Sequence, residues 1–340
     1  MINMRSVAAA AGVSVATVSN VLNDPEKVAP ETRERVLKAI ADLGYVRNEA
    51  ARHLRAGRSL SVGFIAYDIT NPYFADMLGG FESVAEANSM RALIMNSAQS
   101  EKREATSISL MQELRAEGVV IAPLKALSLE VARLRRIGTS VVVADRREPE
   151  QNICSVACDD FQGGRLQARH LLETGHRRLA FVGGPLRRAQ VQGRLTGVKA
   201  ELAGMSAALT VIETDSLSSE NGRLAAERLS GMPETDRPTA VACANDLVAF
   251  GVLQGFIALG VKVPDDISVI GYDDISFAGA AAIPLSSVRQ PAYRIGVLAA
   301  GLMFDEIVAR QVGGDHAHRH ITVEPELIVR SSTRPRSARV

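Results

Sequence analysis

The stretch AGVSVATVSNVL, residues 11–22, is where the organisation of this chain becomes readable. Ahead of it lies an Ala-rich segment from Met4 to Ala11, with Val7, Ala8 and Ala11 at helical spacing. Gly12 permits a tight turn, Val13 is placed as the apolar plug of that turn, and Ser14 is a good N-cap for a second helix. Along that helix Val18, Val21 and Leu22 share one face, while Val15, Ala16, Thr17, Ser19 and Asn20 are small or polar and fall elsewhere. Two short helices joined by a Gly-containing turn form a helix-turn-helix unit, whose second helix enters the DNA major groove. The pattern fits an ordinary helical hairpin equally well, so the residues that follow have to decide.

They continue with the polar loop NDPEKVAP and then ETRERVLKAIADL, which Pro30 opens and Gly44 closes. Val36, Leu37, Ile40 and Leu43 form its apolar stripe, and Glu31 and Glu34 suit its positive N-terminal end. Three helices within residues 1–47 predict a compact all-α headpiece. Residues 48–60 read as a hinge helix and linker: Asn48 can cap it, Ala50, Ala51 and Leu54 lie near one face, and Arg52 and Arg55 sit beside them. So short a helix is marginal alone in water and forms only when something holds it, which makes it a candidate switch.

Charge follows the same division. The whole chain of 340 residues carries a net +1, yet residues 1–60 hold nine Lys/Arg against six acids, a basic head on a nearly neutral body. That distribution suits a nucleic-acid arm attached to a separate sensing module. No apolar run approaches a membrane span and no signal peptide is read, so the expectation is a cytoplasmic protein without a membrane partner. Cys154, Cys158 and Cys243 cannot all pair, which fits a reducing compartment; the first two read as buried strand residues. The tract DHAHRH at residues 315–320 invites a metal reading, but with no other ligand-type cluster beside it a solvated loop is expected and no metal site is assigned.

From Leu60 short β-rich runs alternate with amphipathic helices. SVGFIAY, RALIMN, GVVIAP, SVVVAD and CSVAC form one series; LAFVGG, ALTVIE, TAVACA and ISVIGY form another. Such alternation means right-handed βαβ units, here two doubly wound parallel-sheet lobes of four or five strands. Ligands of open parallel sheets sit beyond the carboxyl ends of the strands. There the chain places DITNPYF, Asp145–Arg146, Asn245–Asp246 and Asp273–Asp274. Carboxylates accept hydroxyl protons, arginine donates in a fork, carboxamides do both, and aromatic faces cover sugar C–H groups. A small polyhydroxylated ligand is implied. The turn FVGGP lacks dinucleotide-binding spacing, and no Walker loop, HExxH or GxSxG motif occurs, so neither an enzyme nor a cofactor is expected. His170 and His176 read as structural, and the polar tail SSTRPRSARV as disordered from residue 334.

Taken in order, AGVSVATVSNVL, VAPETRERVLKAIADLGYVRN, NEAARHLRAGRS, DITNPYF, CANDLVAFGVL, ISVIGYDDISFA and PLSSVRQP resemble the lactose-repressor (LacI/GalR) family of bacterial transcription regulators, up to about residue 333. The resemblance implies a homodimer on a near-palindromic double-stranded operator. Val15, Ala16 and Asn20 take base-reading positions, Ser14, Thr17 and Ser19 phosphate-holding ones, and Leu54 becomes a minor-groove wedge with Ala50, Ala51 and Arg55 nearby. Ser6 replaces the usual acid, and Ala29 the usual Ser cap of the third helix.

The resemblance also implies an effector domain over 61–333. Its first lobe comprises about 61–159 and 289–320, its second about 160–288 and 321–333. Effector contacts would be Asn71, Tyr73, Phe74, Asp145, Arg146, Arg194, Asn245, Asp273 and Gln290, with Arg188 in reach and Leu217 where an aromatic would sit. That set resembles ribose-binding relatives, so a ribose-like pentose is favoured, with another sugar or a purine as alternatives. The rival classes are a solute-binding receptor, which has no use for residues 1–57, and a sugar-modifying enzyme, which needs an acid/base or cofactor motif.

Overall fold

Asn3 starts the first helix, Met4–Ala11, by accepting the backbone N–H groups of Arg5 and Ser6 at 2.9 and 3.1 Å. Ser6 completes a reciprocal capping box, a role that suits a hydroxyl in place of an acid. Gly12 turns the chain at φ 64°, Ser14 accepts the Thr17 N–H at 3.0 Å, and the helix Val15–Asn23 follows. A short 3₁₀ turn, Pro25–Lys27, leads to the helix Pro30–Leu43, which Gly44 ends in the left-handed conformation. Val7, Ala8, Ala11, Val18, Val21, Val36 and Ala39 form the core of this unit, with Val13, Leu22, Ile40 and Leu43 packed against it. Leu37, read as part of the stripe, is instead 50% exposed, because one residue beyond Val36 the helix has already rotated about 100° away from the core. Ala29 makes no side-chain cap, leaving Pro30 and Glu31 to open the third helix.

The computed structural model describes residues 2–45, 60–125, 129–148 and 152–336. The hinge residues Ala50, Ala51, Leu54 and Arg55 lie outside them. The chain divides into two units, Met1–Arg58 and Ser59–Val340.

The larger unit contains two six-stranded sheets. In the first, β1 (Ser61–Ala66), β2 (Arg91–Asn96), β3 (Gly118–Ile121), β4 (Ser140–Ala144), β5 (Cys154–Cys158) and β11 (His320–Val323) lie in the order β11-β5-β4-β3-β1-β2. In the second, β6 (Arg178–Val182), β7 (Ala208–Ile212), β8 (Ala240–Cys243), β9 (Ser268–Asp273), β10 (Ser286–Arg289) and β12 (Glu326–Ile328) lie in the order β12-β10-β9-β8-β6-β7. Each sheet is covered by helices, so strands such as β4 and β9 are buried along their whole length, as parallel strands with two covered faces must be.

Three features depart from the sequence reading. β10, β11 and β12 are three or four residues long and too short to show a period, which is why four or five strands per lobe were expected rather than six. β12 pairs antiparallel with β10, so the second sheet is mixed at one edge. The last crossing between lobes also comes later than residue 320, because His320–Val323 pairs with β5 in the first sheet and only Glu326–Ile328 joins the second. The tail is tied down further than expected. The Arg334 N–H donates to the Ser268 hydroxyl at 3.3 Å, and the Arg336 N–H donates to the Thr174 carbonyl at 2.8 Å.

Candidate functional site

In the N-terminal unit the helices Met4–Ala11 and Val15–Asn23 meet at a bend of 102°, within the range of a helix-turn-helix. The second helix buries Val18 and Val21 and leaves Ser14, Val15, Ala16 and Asn20 exposed, with Thr17 and Ser19 half-exposed. Val15 keeps 41% of its surface open to solvent although it is an apolar residue on a helix, so this face is not shaped for the core of its own unit. The Ser14 and Thr17 hydroxyls lie 2.9 Å apart, and the Ser19 hydroxyl accepts from Asn23 at 3.1 Å. Every residue read as a DNA contact on this helix therefore lies on or beside one accessible face. No single helix among the described residues is long and apolar enough to cross a membrane.

In the larger unit a second site forms where the carboxyl ends of both sheets meet. Asn71 caps the helix Pro72–Ala87 by accepting the Tyr73 N–H at 3.1 Å, and its amide donates across the lobes to Asp273 Oδ2 at 3.1 Å. Tyr73 donates its phenol proton to Asp145 Oδ1 at 2.8 Å. Gln190, on the helix Ala189–Leu202 of the second lobe, reaches back to both the carbonyl and Oδ2 of Asp145 at 2.9 Å. Gln290 donates to Asp273 Oδ1 at 2.8 Å. Arg188 lies over the Tyr67 ring, 3.5 Å from its centroid. Asn245 begins the helix Asp246–Ala258 by accepting the Val248 N–H at 3.0 Å, and it lines the cavity as well.

Arg194 is the buried cation of this cleft. It donates to Asp160 Oδ1 at 2.8 Å and to the Ala244 carbonyl at 2.6 Å, stands 3.9 Å from Asp273, and covers the Tyr272 ring at 3.8 Å. Burial pushes the Asp273 and Asp160 carboxyls up to about 6 although Arg194 pulls each of them down. Asp145 is raised in the same way, against Arg194 and Arg188. Asp145 and Asp273 also hold left-handed backbone, at φ 64° and 106°, which L residues adopt at a cost. The space they enclose is about 30 Å³, room for about two waters, because side chains from the two lobes bridge it directly.

Residues 3–48 match the profile of bacterial regulatory proteins of the lacI family, and residues 168–333 match that of a periplasmic binding protein-like domain. The HTH-type transcriptional repressor PurR of Vibrio campbellii is 30% identical over 339 residues, covering 98% of this chain and 99% of that protein. The chain belongs to the lacI family. The ribose operon repressor of Haemophilus influenzae is 29% identical, covering 98% of each chain. The solved structure of a LacI-family regulator from Enterococcus faecalis with bound ribose is 30% identical, covers 82% of this chain and all of that one, and superposes with a TM-score of 0.72. This lacI-family protein is accordingly a DNA-binding transcriptional repressor and not an enzyme.

Of the residues read as effector contacts, Asn71, Tyr73, Phe74, Asp145, Arg188, Arg194, Leu217, Asn245, Asp273 and Gln290 all line the one cavity. Arg146 does not. The left-handed turn at Asp145 sends the next side chain away from the cleft, where its Nε pairs with Glu148 at 2.6 Å. Tyr67, Asp68, Gln99, Gln190 and Leu247 line the cavity and were not read as contacts. Tyr67 and Asp68 directly follow β1 and carry the usual strand-end signal; Gln190 sits in a helix and carries none. His170 and His176 are structural, as read. His170 meets the Thr333 hydroxyl at 2.8 Å, and His176 is held between Thr239 and Ser268 at 3.0 and 3.1 Å.

Proposed function

We propose that this repressor is controlled by a ribose-like pentose seated between the two lobes, which releases a dimer of the chain from a near-palindromic operator in the cytoplasm. The observation that carries the effector reading is the convergence of three carboxylates, two guanidinium groups and five carboxamides on so small a space. Asp145 and Asp273 accept hydroxyl protons, Arg188 and Arg194 donate, and Asn71, Gln190, Asn245 and Gln290 do both. A sugar entering the cleft takes over the bonds that Asn71 and Gln190 make across it, so its hydroxyls change what holds the lobes together. Tyr73 and Phe74 supply the apolar wall. The bound ribose in the Enterococcus faecalis regulator and the ribose operon repressor of Haemophilus influenzae support the same choice.

On the DNA side, Asn20 pairs with adenine, Val15 and Ala16 contact thymine methyls, and Ser14, Thr17 and Ser19 hold phosphates. Ala50, Ala51, Leu54 and Arg55, outside the described residues, are proposed as minor-groove contacts, with Leu54 as the wedge. A purine is the second reading, favoured by the flat Arg188–Tyr67 stack at the cavity and by the relatives named PurR.

The test is a band shift on the chain's own promoter DNA, with ribose, adenine, guanine and hypoxanthine each titrated in. Ribose is expected to lower operator affinity roughly 5- to 150-fold. A response to a purine alone replaces the pentose with the second reading, and an operator affinity untouched by ribose ends the first. Leu54→Ala is expected to weaken operator binding while leaving ribose affinity, read by calorimetry, unchanged. Equal operator affinity in wild type and variant removes the wedge.

A further inference from the structure

At the end of the first sheet opposite the cleft, three side chains from distant parts of the chain converge. Cys154 is the first residue of β5 and is fully buried. His316 and His318 lie on the extended lead-in to β11, the strand that pairs with β5. Extended chain sends alternate residues to the same side, and here His316, His318 and His320 are half-buried while Asp315, Ala317 and Arg319 are exposed. The Cys154 sulfur stands 3.1 Å from His316 Nε2 and 3.7 Å from His318 Nδ1. All three donor atoms lie within 4.8 Å of one another.

We propose that Cys154, His316 and His318 bind a borderline-soft divalent cation of the zinc class, with the fourth position left to water. Once the thiol gives up its proton, the sulfur and the two ring nitrogens together form a ligand set of the S and N type that such an ion takes. A zinc ion with bonds of about 2.3 Å to sulfur and about 2.0–2.1 Å to nitrogen holds tetrahedral S and N ligands about 3.6 Å apart. The observed separations bracket that value. The Arg319 N–H donates to the same sulfur at 3.4 Å, the kind of outer bond that steadies a bound thiolate. Glu306, on the helix Ala292–Gln311, has a buried carboxylate oxygen that meets no hydrogen-bond partner among the described residues, and its charge is felt at the Cys154 sulfur. Excess positive charge at the site therefore has an acid at hand. The ion ties residues 312–319 to the amino end of β5, just ahead of the crossing from β11 to β12. Cys158, at the other end of β5, faces the charges of the cleft and takes no part.

The experiment uses the full chain, reduced and stripped of metal, equilibrated with Zn²⁺ and then with Co²⁺. One ion per chain is expected, with a sulfur-to-metal charge-transfer band for cobalt. His316→Asn and His318→Asn, in a half-exposed segment where folding is not at risk, are expected to weaken binding by more than the roughly 10–100-fold that loss of an outer-shell partner costs. Cys154→Ser, checked for folding by circular dichroism, abolishes the cobalt band, and Cys158→Ala keeps it. Failure of the wild type to retain one equivalent of zinc overturns the proposal. So does zinc retained by all three ligand variants, or cobalt bound without the thiolate band.

Discussion

Strand β9 is buried at both ends, yet its two ends are built on different terms. At its amino end Ser268 and the neighbouring Thr239 hold the two ring nitrogens of His176, which is 3% exposed. Burial lowers that imidazole to about 4, so it is neutral in the fold and its polar atoms are matched by hydroxyls. At the carboxyl end Asp273 is 5% exposed, held in left-handed backbone and raised to about 6 by burial beside two further acids and one fully buried arginine. Equal burial with opposite electrostatic comfort marks the second end as the one kept for a ligand. Polar strain of that kind persists where a function needs it. The amino end bonds the tail, Ser268 accepting the Arg334 N–H at 3.3 Å, and borders a separate cavity of about 310 Å³ that holds no such cluster of buried acids.

The largest test of this contrast is Arg194→Met. It leaves Asp160 and Asp273 buried without their cation, and breaking a buried pair in this way costs about 3–5 kcal/mol. The loss is expected at pH 8 in the urea unfolding of the sensing unit. Much of it should return at pH 5, where the two acids take up protons and the missing charge no longer matters. A loss of equal size at both pH values means that Arg194 acts by packing on Tyr272 rather than by charge, and the contrast between the ends fails.

The opposite pH sense is expected at the quiet end. His176→Leu strands the Thr239 and Ser268 hydroxyls and costs about 1–3 kcal/mol at pH 7. Because the folded pKa of His176 lies below that of an ordinary histidine, the unfolded chain binds the extra proton between about 6.5 and 4. The stability it contributes is therefore complete above that window and lost as pH falls through it. The variant should show a shallower acid loss than wild type between pH 6.5 and 4. Parallel curves over that window remove the neutral-imidazole account.

How much of this is legible in the sequence depends on how local each feature is. The headpiece is legible from Ser14 to Gly44, Leu37 excepted, because caps, turns and short helices are decided by near neighbours. Asp145, Asn245 and Asp273 were legible because parallel strands deliver their last residues to one place. Arg146 was misplaced because a left-handed turn reverses the next side chain, and alternation along a strand does not show it. Gln190 enters from inside a helix, and only the packing of one lobe on the other brings it to Asp145. Cys154 and His316 are 162 residues apart and meet only through the pairing of β5 with β11, so the histidine tract looked like a solvated loop. The tail from residue 334 was expected to be disordered for its polarity, but the backbone N–H groups of Arg334 and Arg336 bond Ser268 and Thr174, partners far away in sequence.

The smallest expected effect sharpens the contrast most. Asp160 contacts Arg194 but is not among the residues lining the cavity, so it reports on the charge of the cleft without being a ligand contact. Its folded pKa, raised to about 6, lies above that of an unfolded aspartate. The folded chain then keeps a proton between about 4 and 6 that the unfolded chain has released, so the stability Asp160 adds is full below about 4 and is lost as pH rises through 6. Asp160→Asn keeps an oxygen for the Arg194 Nε–H and removes that titration. The variant should be more stable than wild type above pH 6, by on the order of 1 kcal/mol, and the two should converge below pH 4. Thermal melts across pH 4–8 read this directly. A variant less stable than wild type at pH 7 means that the Asp160–Arg194 pair gains more from attraction than it loses to desolvation, and the cleft is then as comfortable as the histidine end.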